Sequence, residues 1–272
     1  MRTICTRGLS LGTGLPKICA PLTAGSGEAL LEEASHFKDY PVDLAEWRAD
    51  GDAEDRTPED YAKTLRALRR VLGNTPLLFT LRRESEAGRF KGSEEEYQTI
   101  LEQLLETECI DIIDLEASIA KARFRSLAEK ARREGVFVLA SSHDFTGTPS
   151  EKEILDCMNQ MEESAADMTK LAVMPKTEGD VRTLLRASER WKEQASRPFL
   201  MISMGVLGTR SRIGSEIYGS AITFGSVGES SAPGQLSVPL LHRALLQVHE
   251  DLRKEGEAAV CRRLEDGFYT KA

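Results

Sequence analysis

The sequence predicts an α/β fold, a single (β/α)8 TIM barrel with an N-terminal β-hairpin, and three observations predict it. Eight short apolar runs recur roughly thirty residues apart, the length of one βα unit. Amphipathic stretches of helical period separate them. No G-x-G-x-x-G follows the first run, where an open doubly wound sheet usually carries one; PKICAPLTAGSGEAL holds a single Gly-Ser-Gly. A chain of 272 residues is the size at which such barrels routinely fold as one domain.

Residues 1–14 precede the repeat. Thr3, Ile4 and Cys5, then Gly8 and Leu9 with Gly12 and Gly14 following, read as a small β-hairpin over one barrel mouth. The runs that follow are PKICAPL, VDLAEWRAD, PLLFTLR, IDIIDLEA, VFVLASSHDF, TKLAVMP, PFLMISMG and AITFGSV. Helix starts stand between them. Thr57-Pro58-Glu59 is an N-cap with proline in the first turn. Ser93 with Glu96, and Ser150 with Glu153, have capping-box spacing. Tyr97, Ile100, Leu101 and Leu104 follow the first box at helical period; Ile154, Leu155, Met158 and Met161 follow the second. The charged stretch over about residues 252–272 reads as a terminal extension with a frayed helix.

Composition narrows the function. A net charge of -8 and a pI near 5.3 argue against nucleic acid or an anionic membrane as partner. There is no long apolar span and no signal peptide. Cys5, Cys19, Cys109, Cys157 and Cys261 form no C-x-x-C pair, which reads as reduced thiols and a cytoplasmic location. Histidines and cysteines do not cluster at metal-ligand spacing, so no metal is expected. His242 and His249 read as surface or packing residues.

In an α/β barrel the chemistry gathers where strands end. The second run ends Glu46-Trp47-Arg48, with Glu46 and Arg48 on one face and Trp47 on the other. The third ends Thr80-Leu81-Arg82, the fourth carries Asp114 and Glu116, and the fifth ends Ser141-Ser142-His143-Asp144. Singly, Glu46 and Arg48 could be a structural ion pair and His143 a hydrogen-bonded histidine. Together they are hard to explain as packing, because buried charges must be paired or used. Lys170 opens the sixth run, ahead of Leu171, Ala172, Val173 and Met174. A lysine there either snorkels to water or is held inside the core. Burial disfavours its charged form, and a neutral lysine can form a Schiff base with a carbonyl. The rim after the seventh run, residues 203–235, holds seven glycines together with Arg212, Ser231 and Gln235. Arginine offers a fork for a carboxylate, and serine and glutamine offer hydrogen bonds to hydroxyls. Gly225, Gly228, Gly234 and Pro233 suggest that the segment 226–235 closes as a lid.

These strings together resemble one family, type I 3-dehydroquinate dehydratase of the shikimate pathway. EWRAD, LLFTLR followed by Glu86, SSHDF, KLAVMP, SMGVLGTRSR, YGSAITF and SAPGQ stand in the family's order over roughly residues 15 to 250. The resemblance implies a single barrel, commonly a cytoplasmic homodimer, that dehydrates 3-dehydroquinate to 3-dehydroshikimate without metal or cofactor. It implies Lys170 as the Schiff-base lysine, His143 as general acid and base, and Glu86 as the carboxylate that orients His143. It implies Glu46, Arg48, Arg82, Arg212, Ser231 and Gln235 as substrate-binding groups. Three positions depart from the pattern. Pro21 replaces a common Ser, Ala87-Gly88 replaces Gly-Gly, and the glycine after SR is displaced to Gly214. Two rival readings come from other classes. A Schiff-base aldolase acting on a phosphosugar would bind phosphate at the glycine-rich rim, whereas the segment from Ser231 to Gln235 better suits a carboxylate polyol. A non-catalytic barrel would hardly retain both Lys170 and His143.

Overall fold

The computed structural model of the chain describes residues 2–24, 27–52, 56–228 and 234–270. The N-terminal hairpin is β1 (Ile4–Thr6) and β2 (Leu9–Leu11), antiparallel with Ile4 opposite Leu11. Eight parallel strands follow: β3 (Lys17–Leu22), β4 (Leu44–Arg48), β5 (Leu77–Thr80), β6 (Ile112–Glu116), β7 (Phe137–Asp144), β8 (Met168–Val173), β9 (Phe199–Ser203) and β10 (Ile222–Ser226). Each of the eight expected runs supplies one. Neighbours in sequence are neighbours in the sheet, and β10 returns to pair with β3. The seam between β9 and β10 is thinner. It rests on one bridge between Phe199 and Ser220, and on the Ala221 N–H donating to the Phe199 carbonyl at 2.7 Å. A two-residue strand, β11 (Leu236–Ser237), extends β10 at its upper end.

Helices wrap the sheet: α1 (Gly27–Ser35), α2 (Pro58–Leu72), α3 (Glu94–Leu105), α4 (Lys121–Arg133), α5 (Glu151–Glu162), α6 (Glu178–Gln194), the short α7 (Thr209–Ile213) and α8 (Ser215–Tyr218), α9 (Val238–Glu255) and α10 (Glu257–Glu265). Both expected capping boxes form, at α3 and α5. Thr57 with Asp60 at α2, and Thr177 with Asp180 at α6, close two more. The terminal stretch does not fray. Val260, Leu264 and Tyr269 join the main core, and Tyr269 and Arg263 both donate to Asp251 of α9, at 2.9 and 2.7 Å. Their spacing carried little amphipathic signal because a few buried contacts suffice to dock so short a helix.

Side chains alternate across every strand. Outward residues such as Trp47, Phe79 and Leu115 join the helices in the main core. Inward residues fill the barrel, one from each strand: Cys19, Leu44, Leu78, Ile112, Leu139, Met168, Leu200 and Ile222. Ile4 and Leu11 of the hairpin close this apolar layer from beneath. Asp111 fixes the same floor. It accepts from Arg7 and Arg69, each at 2.6 Å, and from the Leu77 N–H at 2.8 Å. Removing a buried ion-pair partner strands its cations, so Asp111→Ala is expected to cost about 3 kcal/mol. Denaturant unfolding of the variant checks this; a loss well under about 1 kcal/mol would show that the hairpin is not anchored here.

Candidate active site

Two residues beyond the apolar layer, the same strands change character. From Cys19, Leu44, Leu78, Ile112, Leu139, Met168, Leu200 and Ile222 the chain steps to Pro21, Glu46, Thr80, Asp114, Ser141, Lys170, Ile202 and Phe224. A period of two puts this second set inside the barrel as well. Six of its residues come from β3–β8 and are mostly polar; Ile202 and Phe224 supply an apolar wall. Above them lies a cavity of about 140 Å³. Glu46, Arg48, Arg82, Glu86, His143, Lys170, Arg212 and Gln235 all line it, so eight of the nine residues expected from sequence meet in one place. The ninth, Ser231, and the middle of the expected lid, residues 229–233, lie outside the described residues.

Arg82 organises the polar side. Its guanidinium donates to Asp114 at 2.8 Å and to Ser141 at 3.0 Å, and lies 3.3 Å from Glu116 and 3.4 Å from Glu86. Burial opposes that charge, but Asp114, Glu116 and Glu86 hold the Arg82 pKa above its usual value. Glu116 also accepts from Arg83, through the side chain at 2.7 Å and the backbone N–H at 2.8 Å. Glu46 and Arg48 do not pair with each other. Glu46 accepts from the Thr80 hydroxyl at 2.9 Å, and Arg48 forks onto Asp50 at 2.9 and 3.0 Å. The fork leaves Arg48 at the cavity edge with its planar face set.

His143 Nδ1–H donates to Glu86 Oε2 at 2.8 Å, and Ser118 donates to the other Glu86 oxygen at 3.0 Å. The His143 ring stacks on Phe145, centroids 6.3 Å apart. Burial, then the charges of Arg82, Lys170 and Arg48, push the His143 pKa well below its ordinary value, so its imidazole is neutral near pH 7. Burial pushes the Glu86 carboxyl up to about 7, against the pull of Arg82. Lys170 is 6 % exposed, with Nζ 4.7 Å from the centre of the Phe224 ring. Burial lowers its pKa, helped by Arg82 and Arg48 and opposed by Glu46 and Asp114. Arg212, on α7, is also buried, and burial pulls its guanidinium down to about 10, still charged at neutral pH. One cavity thus holds an amine shifted toward its nucleophilic form, a neutral imidazole backed by a carboxyl, and cations able to hold an anion.

The altered positions are explained locally. Pro21 stands level with Glu46 in the β3–β4 register and brings no hydroxyl. Ala87 adopts a left-handed backbone, φ 59° and ψ 26°, at the end of the 3-10 turn Glu84–Glu86. A Cβ on Gly88 would lie 2.0 Å from the Arg82 carbonyl oxygen, so that position needs glycine. At Gly214, between α7 and α8, a Cβ would meet the Tyr218 ring at 2.6 Å. Sequence reasoning assigned no role to Asp50, Ser118 or Phe145. Asp50 had a signal, lying two residues after Arg48; Ser118 and Phe145 are brought in by the turns after β6 and β7.

Known proteins resemble this chain over most of its length. Residues 18–251 match the profile of the type I 3-dehydroquinase family. A 3-dehydroquinate dehydratase from Listeria innocua is 38% identical over 250 residues, covering 92% of this chain and 99% of that protein. One from Clostridium novyi is 40% identical over 253 residues, covering 93% of this chain and 100% of that protein. The structure of a type I 3-dehydroquinate dehydratase from Clostridium difficile with covalently modified comenic acid superposes with a TM-score of 0.88 at 35% identity, covering 92% of this chain and 99% of that one. A 3-dehydroquinate dehydratase from Geobacillus kaustophilus gives 0.88 at 32% identity, over 94% and 98%.

The raised Glu86 pKa has a stability signature. A carboxyl whose folded pKa lies above its unfolded value stabilises fully below the unfolded pKa, and that stability is lost as pH rises through the folded pKa. With Glu86 at about 7, most of the loss falls between the ordinary carboxyl range and neutral pH. Glu86→Gln does not titrate. Relative to the parent, the variant is expected to gain about 2 kcal/mol between about pH 5 and pH 8. Denaturant unfolding at both pH values measures this; an equal difference at the two would show that Glu86 is ionised normally.

Proposed function

This chain belongs to the type I 3-dehydroquinase family, and we propose that it carries out the family's reaction through an imine on Lys170. The reaction is the dehydration of 3-dehydroquinate to 3-dehydroshikimate, a carbon–oxygen hydro-lyase step of the shikimate pathway. The observation that supports the residue roles best is Lys170 buried in one cavity with the His143–Glu86 pair.

Loss of a proton beside a ketone is the difficult step. Neutral Lys170 attacks the ketone, water leaves, and the protonated imine becomes a sink for the electrons released when the C–H bond breaks. His143 takes that proton. Its neutral state makes it a base, and Glu86 holds its ring by Nδ1, leaving Nε2 for the substrate. The imidazolium then protonates the departing hydroxyl, so one side chain is base and acid in turn. Water hydrolyses the product imine and frees Lys170. Arg212 anchors the substrate carboxylate, while Glu46, Arg48, Arg82 and Gln235 hold hydroxyls and fix which proton faces His143. The SAPGQ string adds Ser231 to that set. No helix is long and apolar enough to cross a membrane among the described residues. We propose a cytoplasmic homodimer of one-domain subunits, the assembly implied by the sequence motifs.

Borohydride added with substrate is expected to reduce the imine to a secondary amine, raise the intact mass and abolish turnover, with the label on the peptide holding Lys170. A label elsewhere, or normal turnover by Lys170→Ala, would end the imine proposal. His143→Ala is expected to form the imine yet lose about 10²–10⁴-fold in kcat; near-normal kcat would transfer the base to another group. Glu86 is the next candidate.

A further inference from the structure

We infer that Ala87 is a positioning residue of this pocket: its methyl group, held at the mouth by a left-handed backbone, screens the Glu86–His143 hydrogen bond from water. The inference rests on the proposal that His143 moves the proton.

Among the described residues three non-glycines have positive φ, Arg7, Ala87 and Glu108. Arg7 lies in the β1–β2 turn and Glu108 precedes β6, both at the floor of the barrel. Ala87 is at the opposite end and lines the cavity. The backbone around it is fully committed. The Ala87 N–H donates to the Glu84 carbonyl at 3.1 Å and the Gly88 N–H to the Arg83 carbonyl at 2.9 Å. That paired closure normally places glycine at the left-handed position, because a Cβ there is disfavoured. The neighbouring Gly88 is required by the Arg82 carbonyl, but nothing in the backbone requires a methyl at 87. The turn therefore carries a Cβ where its own conformation favours none. Strain retained at a pocket wall points to what the side chain does there.

The methyl's neighbours define that role. Ala87 follows Glu86 directly, and it borders the cavity together with His143 and Phe145. Phe145 covers the imidazole face and is itself 40% exposed. Ala87 and Phe145 are apolar members of a lining that also holds the His143–Glu86 pair, Arg48 and Gln235. Water entering between Ala87 and Phe145 would compete for the carboxyl and weaken its hold on the ring. The charged groups around His143 are Glu86, Arg82, Arg48 and Lys170, with Asp114 and Glu116 beyond Arg82.

The test compares Ala87→Gly and Ala87→Ser with the parent in the full chain, reading thermal midpoint, kcat, KM and the pH profile on 3-dehydroquinate. Glycine removes the strain, so its midpoint is expected to match the parent or rise by a few degrees. Its kcat is expected to fall about fivefold, short of the loss on removing a general base, with KM within about twofold. The acid limb of kcat/KM is expected to move up by about half a pH unit as solvent brings His143 toward its ordinary pKa. Ala87→Ser keeps the Cβ and is expected to keep most of the rate. Opposite movement of stability and rate in the glycine variant supports the role. Parent kcat and pH profile in Ala87→Gly overturn it, as does a parallel fall of stability and rate, or an equal loss in Ala87→Ser. An inactive parent chain overturns the proposed reaction and this role together; an active parent with an unaltered glycine variant overturns this role alone.

Discussion

The guanidinium of Arg82 is buried at the mouth of the barrel among Asp114, Glu116 and Glu86, and its charge sets the state of the groups around it. Three carboxylates against one cation would repel one another, so burial leaves Glu86 with a raised pKa. Arg83 relieves Glu116 of part of that crowding. The same positive charge adds to burial in lowering the His143 and Lys170 pKa values. A base and an amine both shifted toward their neutral forms are thus consequences first of burial and then of this buried arginine. The network joins β5, β6 and β7 with the turn after β5, so it also fixes where these groups stand.

The apolar layer beneath makes this arrangement possible. Charged groups are tolerable inside a barrel only where each finds a partner and the surrounding packing holds the partners still. Eight side chains, one from each strand, fill the barrel below and are sealed by Ile4 and Leu11. Two residues higher the interior turns polar on most strands. Proton chemistry begins where hydrocarbon filling ends.

Much of this was legible in the sequence. Eight runs at a regular spacing gave the strands, and period two within EWRAD, TLR and SSHD told which side chains share a face. Ser93 with Glu96 and Ser150 with Glu153 marked two helix starts because a capping box is local. What could not be read is what joins distant positions. Arg82 meets Asp114 across 32 residues of chain and Ser141 across 59. The partner of Arg48 proved to be Asp50, not Glu46, since the chain turns into a 3-10 helix at Ala49. The left-handed backbone of Ala87 had no signal either; alanine is the residue least expected to announce one. Tertiary contacts also decided the C-terminal end, where Val260 and Leu264 dock a short helix that also carries Glu257, Arg262, Arg263 and Glu265.

The seam between β9 and β10 is the thin point of a ladder that otherwise runs from β10 through β3 to β9. Lys170 and His143 lie on strands of that ladder, and Arg82 and Glu86 on the turn that follows β5 within it. Arg212 and Gln235 belong to the segments that flank the single bridge at Phe199. In the proposed reaction Lys170 and His143 are the groups that form the imine and move the proton, and their distances must hold to a fraction of an ångström. That reaction uses Arg212 and Gln235 to hold the substrate's periphery on either side of the thin point, away from the ladder that carries Lys170 and His143.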